Sequence, residues 1–217
     1  MATKKSRLIF TGFAFIIVFV IWTILIQAFD VQPIGLNGTN VGFATINGRF
    51  HSLTGVNMTL YTITDWLGLV PIFVCMLFGV MGLAQWIKRK SLLKVDFSII
   101  ISGIYYVIVI LCYLIFEESA INYRPILING FMEASYPSST TLLVMCVMPT
   151  LVFQSNRRLK NSKASLFICA VTFLFTAFMV IGRLISGVHW LTDIIGSVLL
   201  SIGLFCIYKA IASAKEN

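Results

Sequence analysis

The segment Arg183–Asp193, RLISGVHWLTD, lies between two long apolar runs, residues 165–185 and 191–211, which we predict to be membrane-spanning helices. Charged groups within or at the ends of membrane-spanning segments are costly and are usually functional. If the segment is helical, His189 and Asp193 face the same way, so the carboxylate can hold one imidazole nitrogen while the other points at a substrate. Arg183 adds a planar positive group suited to phosphate. The segment therefore predicts a nucleophilic histidine that acts on a phosphate ester.

Composition indicates that the whole chain belongs in a membrane. Of its 217 residues, 59% are apolar and 11% are charged, against about 25% charged residues in a typical soluble domain. We expect an all-α polytopic membrane protein in which residues 1–217 form a single membrane-embedded domain with six transmembrane helices. The expected spans are 8–29, 66–87, 96–116, 138–154, 165–185 and 191–211. The five cysteines fall inside these spans without metal-ligand spacing, which favours packing roles over disulfides or a metal site.

The net charge of +8 does not indicate a nucleic-acid partner, because the basic residues form short clusters beside apolar runs. Under the positive-inside rule, these clusters predict that both termini are cytoplasmic. The residues expected at the cytoplasmic end are Lys4, Lys5, Arg7, Lys88, Arg89, Lys90, Lys94, Arg157, Arg158, Lys160, Lys163, Lys209 and Lys215. Only Arg49, Arg124 and Arg183 fall on the other side. We therefore expect the extracytoplasmic side to carry the function.

Two further segments on that side contain residues suited to bind phosphate. Arg124 follows the third span in Asn122-Tyr123-Arg124-Pro125, and Tyr136–Thr141 opens the fourth. Pro137 followed by Ser138 and Ser139 is typical of a helix start, where free backbone N–H groups and the positive dipole end attract anions. The alternative is simple capping of the helix; the two outward arginines favour an anion site. The loop from 30 to 65 predicts little regular structure beyond a short helix near Ser52–Leu60.

Together these segments resemble the type 2 phosphatidic acid phosphatase superfamily, which comprises integral membrane lipid phosphatases and their soluble relatives. Its motifs read K-x6-R-P, P-S-G-H and S-R-x5-H-x3-D, and the resemblance covers about residues 95–211. It implies that His189 is the nucleophile that forms a phosphohistidine and that Asp193 orients and stabilises its imidazole. It further implies a phosphorylated lipid as substrate and no metal or cofactor. The phosphoryl oxygens would be bound by Arg124, Arg183, Ser138 and Ser139.

Three positions depart from those motifs. Glu117, with Glu118 beside it, stands where the family has a lysine, and Gly182 stands where it has a serine. Thr140 takes the place of the histidine that protonates the leaving group. A threonine cannot serve as that acid near neutral pH, and general acid catalysis contributes about 10²–10⁴-fold. We therefore expect a preference for lipid diphosphates, whose leaving oxygen is less basic; the alternative is an impaired relative that binds phosphorylated lipid without turnover.

The sequence leaves several roles near the site open. His51 could reach over from the first outer loop and replace the missing acid, although a solvated loop histidine is the commoner case. Glu117 and Glu118 could repel phosphate or hold Arg124 by an ion pair. Glu133 is expected to be a solvated loop charge. A transporter or channel has less support, because no ionisable residue lies in mid-span, whereas a phosphotransferase would have the same sequence features as a hydrolase.

Overall fold

The computed structural model describes the backbone of residues 2–214 and the side chains of residues 4–214. These residues form eight α-helices and no extended strand, which confirms the expected all-α fold. Each of the six predicted spans contains one long helix. The helices are α1 (Ala2–Ala28), α2 (Ala44–Thr54), α3 (Met58–Leu67), α4 (Leu69–Arg89), α5 (Phe97–Glu118), α6 (Ser139–Arg158), α7 (Ser162–Ile185) and α8 (Leu191–Ala212).

Five segments of the described chain are long and apolar enough to cross a membrane, so the protein is a multi-pass membrane protein. They are Lys4–Ala28, Met58–Arg89, Phe97–Glu118, Ser162–Ile185 and Leu191–Ala212. The fourth predicted span, which forms α6, is the one that does not meet this criterion; it is less apolar because it packs against α4, α5, α7 and α8 in the middle of the bundle. It carries the polar residues Thr141, Thr150 and Gln154 there, all fully buried.

The first and last helices pack closely along their length. A Cβ added at Gly12 of α1 would lie 2.9 Å from the carbonyl oxygen of Gly203 in α8. Near the other end of the pair, the Trp22 indole donates a hydrogen bond of 3.2 Å to the backbone of Thr192. These contacts fix the end of α1 beside the start of α8, where His189 and Asp193 lie.

Basic side chains gather at the opposite end of the bundle. Asp96, just before α5, pairs with Arg89 of α4 at 2.9 Å and with Arg158 of α6 at 3.3 Å. Arg158 also donates to the buried amide of Gln154. Arg89 and Arg158, from two of the clusters expected on one side of the membrane, are therefore at one end of the fold; Lys215, expected with them, lies outside the described residues.

The loop from 30 to 65 is more structured than its sequence predicts. Residues Ser52–Leu60 do not form one helix, because Gly55 takes a left-handed φ of 62° and ends α2. Helix α3 begins three residues later, where the Asn57 side chain accepts a hydrogen bond from the Leu60 N–H. Helix α3 then runs almost directly into α4 and lies over the end of the bundle that carries the predicted site.

Candidate active site

The loop between α5 and α6 folds back on itself and brings four polar residues to the site. The Arg124 N–H donates to the carbonyl of Glu133 at 3.1 Å, and the Ser135 N–H donates to the carbonyl of Asn122 at 2.8 Å. These two backbone hydrogen bonds pair the two ends of the loop as in a short β-hairpin. The side chains of Arg124 and Glu133 therefore lie side by side. Their ion pair measures 3.2 Å from Nε to Oε2.

The start of α6 is placed as its Pro-Ser sequence predicts, but its serines face different ways. Ser138 is fully buried, and its hydroxyl donates to the hydroxyl of Thr141 at 3.1 Å. Its carbonyl accepts a hydrogen bond of 2.9 Å from Ser197 of α8. Ser139 and Thr140 instead line a cavity. The Ser138 N–H also donates to the carbonyl of Asp193 at 3.3 Å, so both donors of this residue are engaged inside the protein. Ser139 and Thr140 can contribute side chains to an anion site.

His189 lies in the turn between α7 and α8, and its two ring nitrogens have different surroundings. Nδ1 is 3.1 Å from the carbonyl oxygen of Ser135 and 3.3 Å from its hydroxyl. Nε2 is buried without a hydrogen-bond partner in the described part of the chain. Burial, followed by the positive charges of Arg124 and Arg183, lowers the pKa of His189 well below its usual 6.5, although its bond to Ser135 opposes this shift. The imidazole is therefore neutral at pH 7.

Asp193 is completely buried at the start of α8, and it does not hold His189 in the way that the sequence suggested. His189 precedes the helix, so the two residues are not neighbours on one helical face. Nδ1 of His189 lies 3.8 Å from Oδ2 of Asp193, beyond hydrogen-bond reach. The carboxylate instead accepts the Trp190 N–H at 2.8 Å and the Ser135 hydroxyl.

Tyr61 of α3 brings the two arginines together. Its ring centroid is 4.8 Å from the Arg183 guanidinium carbon and 5.9 Å from that of Arg124. One turn further along α3, Asp65 lies 3.5 Å from Nη1 of Arg183. Arg183 is 1% exposed and Asp65 is 55% exposed, so the carboxylate can move away while the arginine stays fixed. Two cations thus converge under one aromatic ring, which attracts them by its electron-rich face.

A cavity of about 630 Å³ opens in front of the arginines. Its polar end contains Arg124, Arg183, Tyr61, Asp65, Glu117, Glu133, Ser139 and Thr140. Its other end runs between α4, α5 and α6 and is lined mainly by apolar side chains, including Leu69, Ile72, Val109, Ile110, Leu143 and Val147. One cavity therefore combines a phosphate-sized polar end with an apolar arm.

His189 lies beside this cavity. It lines a narrow adjoining pocket that shares Ser139, Leu142, Tyr113 and Glu117 with the larger one. The structure thus brings Arg124, Arg183, Ser139 and Thr140 to the cavity, sets His189 next to them, and buries Ser138 and Asp193 behind. Ser139, at the position of the motif's glycine, stands between the two spaces.

The structure shows the surroundings of His51, Glu133 and Glu117, whose roles the sequence leaves open. His51 is half-buried, and its Nε2–H donates to the Gly187 carbonyl at 3.1 Å. Its ring packs on that of Trp190 at 5.5 Å between centroids. It lines neither of the two site cavities and supports the turn from behind. Glu133 is not a free loop charge, because it pairs with Arg124. Glu117 faces both cavities.

The same turn touches the loop between α2 and α3 at the backbone. Gly187 has a φ of 71°, and a Cβ added to it would lie 1.9 Å from the carbonyl oxygen of Gly55. The Asn57 N–H donates to the carbonyl of Ser186 at 2.9 Å. Only glycine fits at position 187.

Tyr61, Asp65 and Ser135 are site residues that the sequence analysis missed. Tyr61 and Asp65 are one helical turn apart, a spacing that could have marked them as one face of a helix. Ser135 lies just before the second motif, but its contacts with His189 and Asp193 join chain segments more than 50 residues apart. No local pattern indicates such a contact.

Comparisons with known proteins agree with this geometry. Residues 109–216 match the PAP2 superfamily. The fold is similar to the crystal structure of the first transmembrane PAP2 type phosphatidylglycerolphosphate phosphatase from Bacillus subtilis, with a TM-score of 0.64 and 17% sequence identity. That likeness covers 92% of this chain and 94% of the other, and at this identity it shows the fold. No curated protein matches the sequence.

Proposed function

We propose, since this chain belongs to the PAP2 superfamily, that it is a membrane lipid phosphatase that uses His189 as its nucleophile. The observation that carries the proposal is the unpartnered Nε2 of His189, buried beside two arginines. Nε2 attacks phosphorus, the P–O bond to the leaving group breaks, and its electron pair stays on that oxygen. Water then attacks the phosphohistidine and loses a proton to solvent, and the P–N bond breaks with its electron pair returning to Nε2.

The state of His189 supports this role. Its low pKa keeps the imidazole neutral, so that Nε2 has a lone pair at pH 7. The Ser135 carbonyl can only accept a hydrogen bond, and it therefore places the ring proton on Nδ1. Nε2 is the nitrogen left free to attack. A phosphoryl group there would sit within the field of both arginines.

The arginines supply the charge that a phosphoryl group requires. Nη1 of Arg124 and Nε of Arg183 are buried and have no hydrogen-bond partner among the described residues. Phosphate oxygens can accept from both guanidinium groups and replace the carboxylates of Glu133 and Asp65. Backbone N–H groups in the first turn of α6 add positive potential at the same point. Arg124, Arg183, Ser139 and Thr140 thus form the proposed phosphate site, with Ser138 holding the start of α6 in place behind it.

Thr140 supports a substrate with a good leaving group. Its methyl group faces Gly68, where an added Cβ would lie 3.5 Å away, and its side chain lines the cavity. A hydroxyl there can donate a hydrogen bond but does not release a proton near neutral pH. Losing a general acid costs about 10²–10⁴-fold, or roughly 3–5 kcal/mol of barrier. The absence of this acid slows hydrolysis of a lipid diphosphate less than that of a monophosphate. The group that leaves a diphosphate is a lipid phosphate, whose oxygen is less basic than the alkoxide that leaves a monophosphate.

The apolar arm of the cavity supports a lipid over a soluble phosphate ester. It is bounded by α4, α5 and α6, three helices of the bundle, and it begins beside Thr140 at the polar end. From Thr140 to Val147 a helix rises about 10 Å, enough to accommodate the first carbons of one chain. A polyprenyl diphosphate fits both ends of the cavity, and phosphatidate-type lipids are the second choice.

Basic residues support an extracytoplasmic site with cytoplasmic termini. Leu53 in α2 and Leu93 in the turn before α5 are 84% and 95% exposed at opposite ends of the bundle. In intact cells, a membrane-impermeant maleimide is expected to label Leu53→Cys and to leave Leu93→Cys unlabelled. Labelling of Leu93→Cys alone would reverse the proposed orientation.

One alternative is supported by specific features: a protein that binds phosphorylated lipid without turnover. His189 lies in a narrow pocket partly closed by Ser139, Thr140 replaces the acid, and Glu117 replaces a cation. This alternative keeps the arginine site and predicts lipid binding without phosphate release.

Phosphate release from purified protein in detergent tests the proposal. The substrates are a polyprenyl diphosphate, the monophosphate of the same chain, and phosphatidate. We expect release from the diphosphate first, abolished by His189→Gln and largely kept by His51→Gln, the same change at the chain's other histidine. Equal rates for diphosphate and monophosphate contradict the leaving-group argument. Binding of all three lipids with no release supports the alternative.

A further inference from the structure

Asp193 and His189 are connected through a third residue. The 3.8 Å between Nδ1 and Oδ2 exceeds a hydrogen bond. Ser135 fills the gap, because its hydroxyl donates to Oδ2 of Asp193 and its oxygen lies 3.3 Å from Nδ1 of His189. Its backbone carbonyl lies 3.1 Å from the same nitrogen. A single residue thus contacts the imidazole twice and the carboxylate once.

Resting on the proposed function, we infer that Ser135 is a positioning residue that couples Asp193 to His189. A carboxylate can only accept, so the Ser135 O–H points to Asp193 and leaves its oxygen to accept from Nδ1–H. Both acceptors of Ser135 therefore select the tautomer with the proton on Nδ1. When Nε2 bonds to phosphorus, the ring becomes positive, and the serine hydroxyl carries the stabilising effect of the buried carboxylate to it.

Ser135 is held firmly enough for this role. It is 2% exposed, and its N–H is bonded to Asn122. The next residue, Tyr136, is wedged into the bundle, where its hydroxyl lies 2.7 Å from that of Thr23 in α1. A Cβ added at Gly196 of α8 would lie 2.4 Å from the Tyr136 ring, so glycine makes room for it. The position of Ser135 is therefore set by contacts with α1 and α8.

The imidazole also responds to other charges. Arg124 and Arg183 act on it directly and lower its pKa after burial, and Glu117 of α5 shares its pocket. His51 of α2 touches the backbone of the same turn. A test of Ser135 must keep these groups unchanged, so only Ser135 and Asp193 are substituted.

The first test is a double-mutant cycle on kcat with Ser135→Ala and Asp193→Asn. Ser135→Ala retains the backbone carbonyl, and we expect kcat to fall about 10- to 100-fold with little change in KM. Asp193→Asn is expected to cost much less in the Ser135→Ala background than in the wild type. Ser201→Ala, which removes a buried hydroxyl two turns further along α8, is the matched control. Equal costs of Asp193→Asn in both backgrounds overturn the inference.

The second test does not need turnover. The chain has two histidines, so ¹⁵N-histidine labelling gives two sets of ring signals, and His51→Gln assigns them. We expect the Nδ1–H tautomer at His189, and a fall in its pKa on Asp193→Asn that is clearly smaller once Ser135 is alanine. A fall of the same size in both backgrounds overturns the coupling. A chain that releases no phosphate but shows the coupling contradicts the proposed function and leaves the role of Ser135 standing.

Discussion

The carboxylate of Glu133 lies 3.2 Å from Nε of Arg124, and the backbone carbonyl of Glu133 accepts the Arg124 N–H. Arg183 has a corresponding partner in Asp65. Each arginine of the proposed phosphate site is therefore already paired with a carboxylate. A phosphate that binds both arginines must displace two negative groups, and its affinity is the difference between two sets of ion pairs.

Glu133→Gln is expected to tighten phosphate binding, because it removes a competitor for Arg124 and a charge that repels the ligand. Glu133 is partly exposed, so the gain is modest, about 2- to 5-fold. The inhibition constant of inorganic phosphate measures it. Glu118→Gln, the same change at the exposed end of α5, serves as control. Weaker inhibition in Glu133→Gln alone would mean that the glutamate positions Arg124 more than it competes for it.

Thr140→His is expected to raise hydrolysis of a lipid monophosphate by about 10²-fold or more, by supplying a proton donor for an alkoxide. The diphosphate of the same chain gains less, so the ratio of the two kcat/KM values shifts toward the monophosphate. Thr140→Asn, which keeps a hydrogen-bond donor without a transferable proton, is the control. Equal gains for both substrates would mean that leaving-group protonation is not what the wild type lacks.

Gly196→Ala is expected to destabilise the protein, since its Cβ would meet the buried Tyr136 ring at 2.4 Å. Overpacking of this kind costs about 1–3 kcal/mol. Gly79→Ala in α4 adds a Cβ with nothing within 4 Å and is expected to stabilise slightly, as alanine normally does in a helix. Thermal unfolding in detergent compares the two. If both variants unfold at the wild-type temperature, Tyr136 is not the rigid wedge that holds Ser135.

Stability is expected to fall as the pH is lowered through about 6.5. The folded-state pKa of His189 lies well below 6.5, whereas in the unfolded chain the histidine titrates near 6.5. Between these two values the unfolded state binds the additional proton, which favours unfolding. Melting temperatures measured between about pH 7.5 and about pH 5.5 give the slope. His189→Gln should flatten this slope; an unchanged slope would show that other groups control it.

The residues of the candidate site could be selected from the sequence because they occur in short motifs. Arg183, His189 and Asp193 lie within eleven residues, and Arg124 is one of three arginines that stand apart from the basic clusters. The apolar runs likewise predicted six helices within a few residues of their ends. The composition of α6 was the least typical of a membrane span, because this helix carries polar residues that are buried in the centre of the bundle.

The supporting residues could not be predicted in this way. Ser135 acts through a contact between the loop after α5 and the start of α8, which exists only in the folded chain. Tyr61 and Asp65 belong to a segment, residues 30–65, whose Gly, Asn and Thr content predicted a loop, whereas the structure has them in α3. His189 and Asp193 do lie next to each other, at 3.8 Å between Nδ1 and Oδ2. Their spacing suggested one continuous helix, whereas α8 begins after His189.

The backbone contact between Gly55 and Gly187 has a consequence for engineering. The segment from 30 to 65 carries Tyr61 and Asp65, and it rests on the turn that carries His189 at a distance that admits no side chain. The two segments pack as one structural unit despite their separation in sequence. A chimera that takes the loop from a relative is therefore expected to fold only when it takes the matching turn as well.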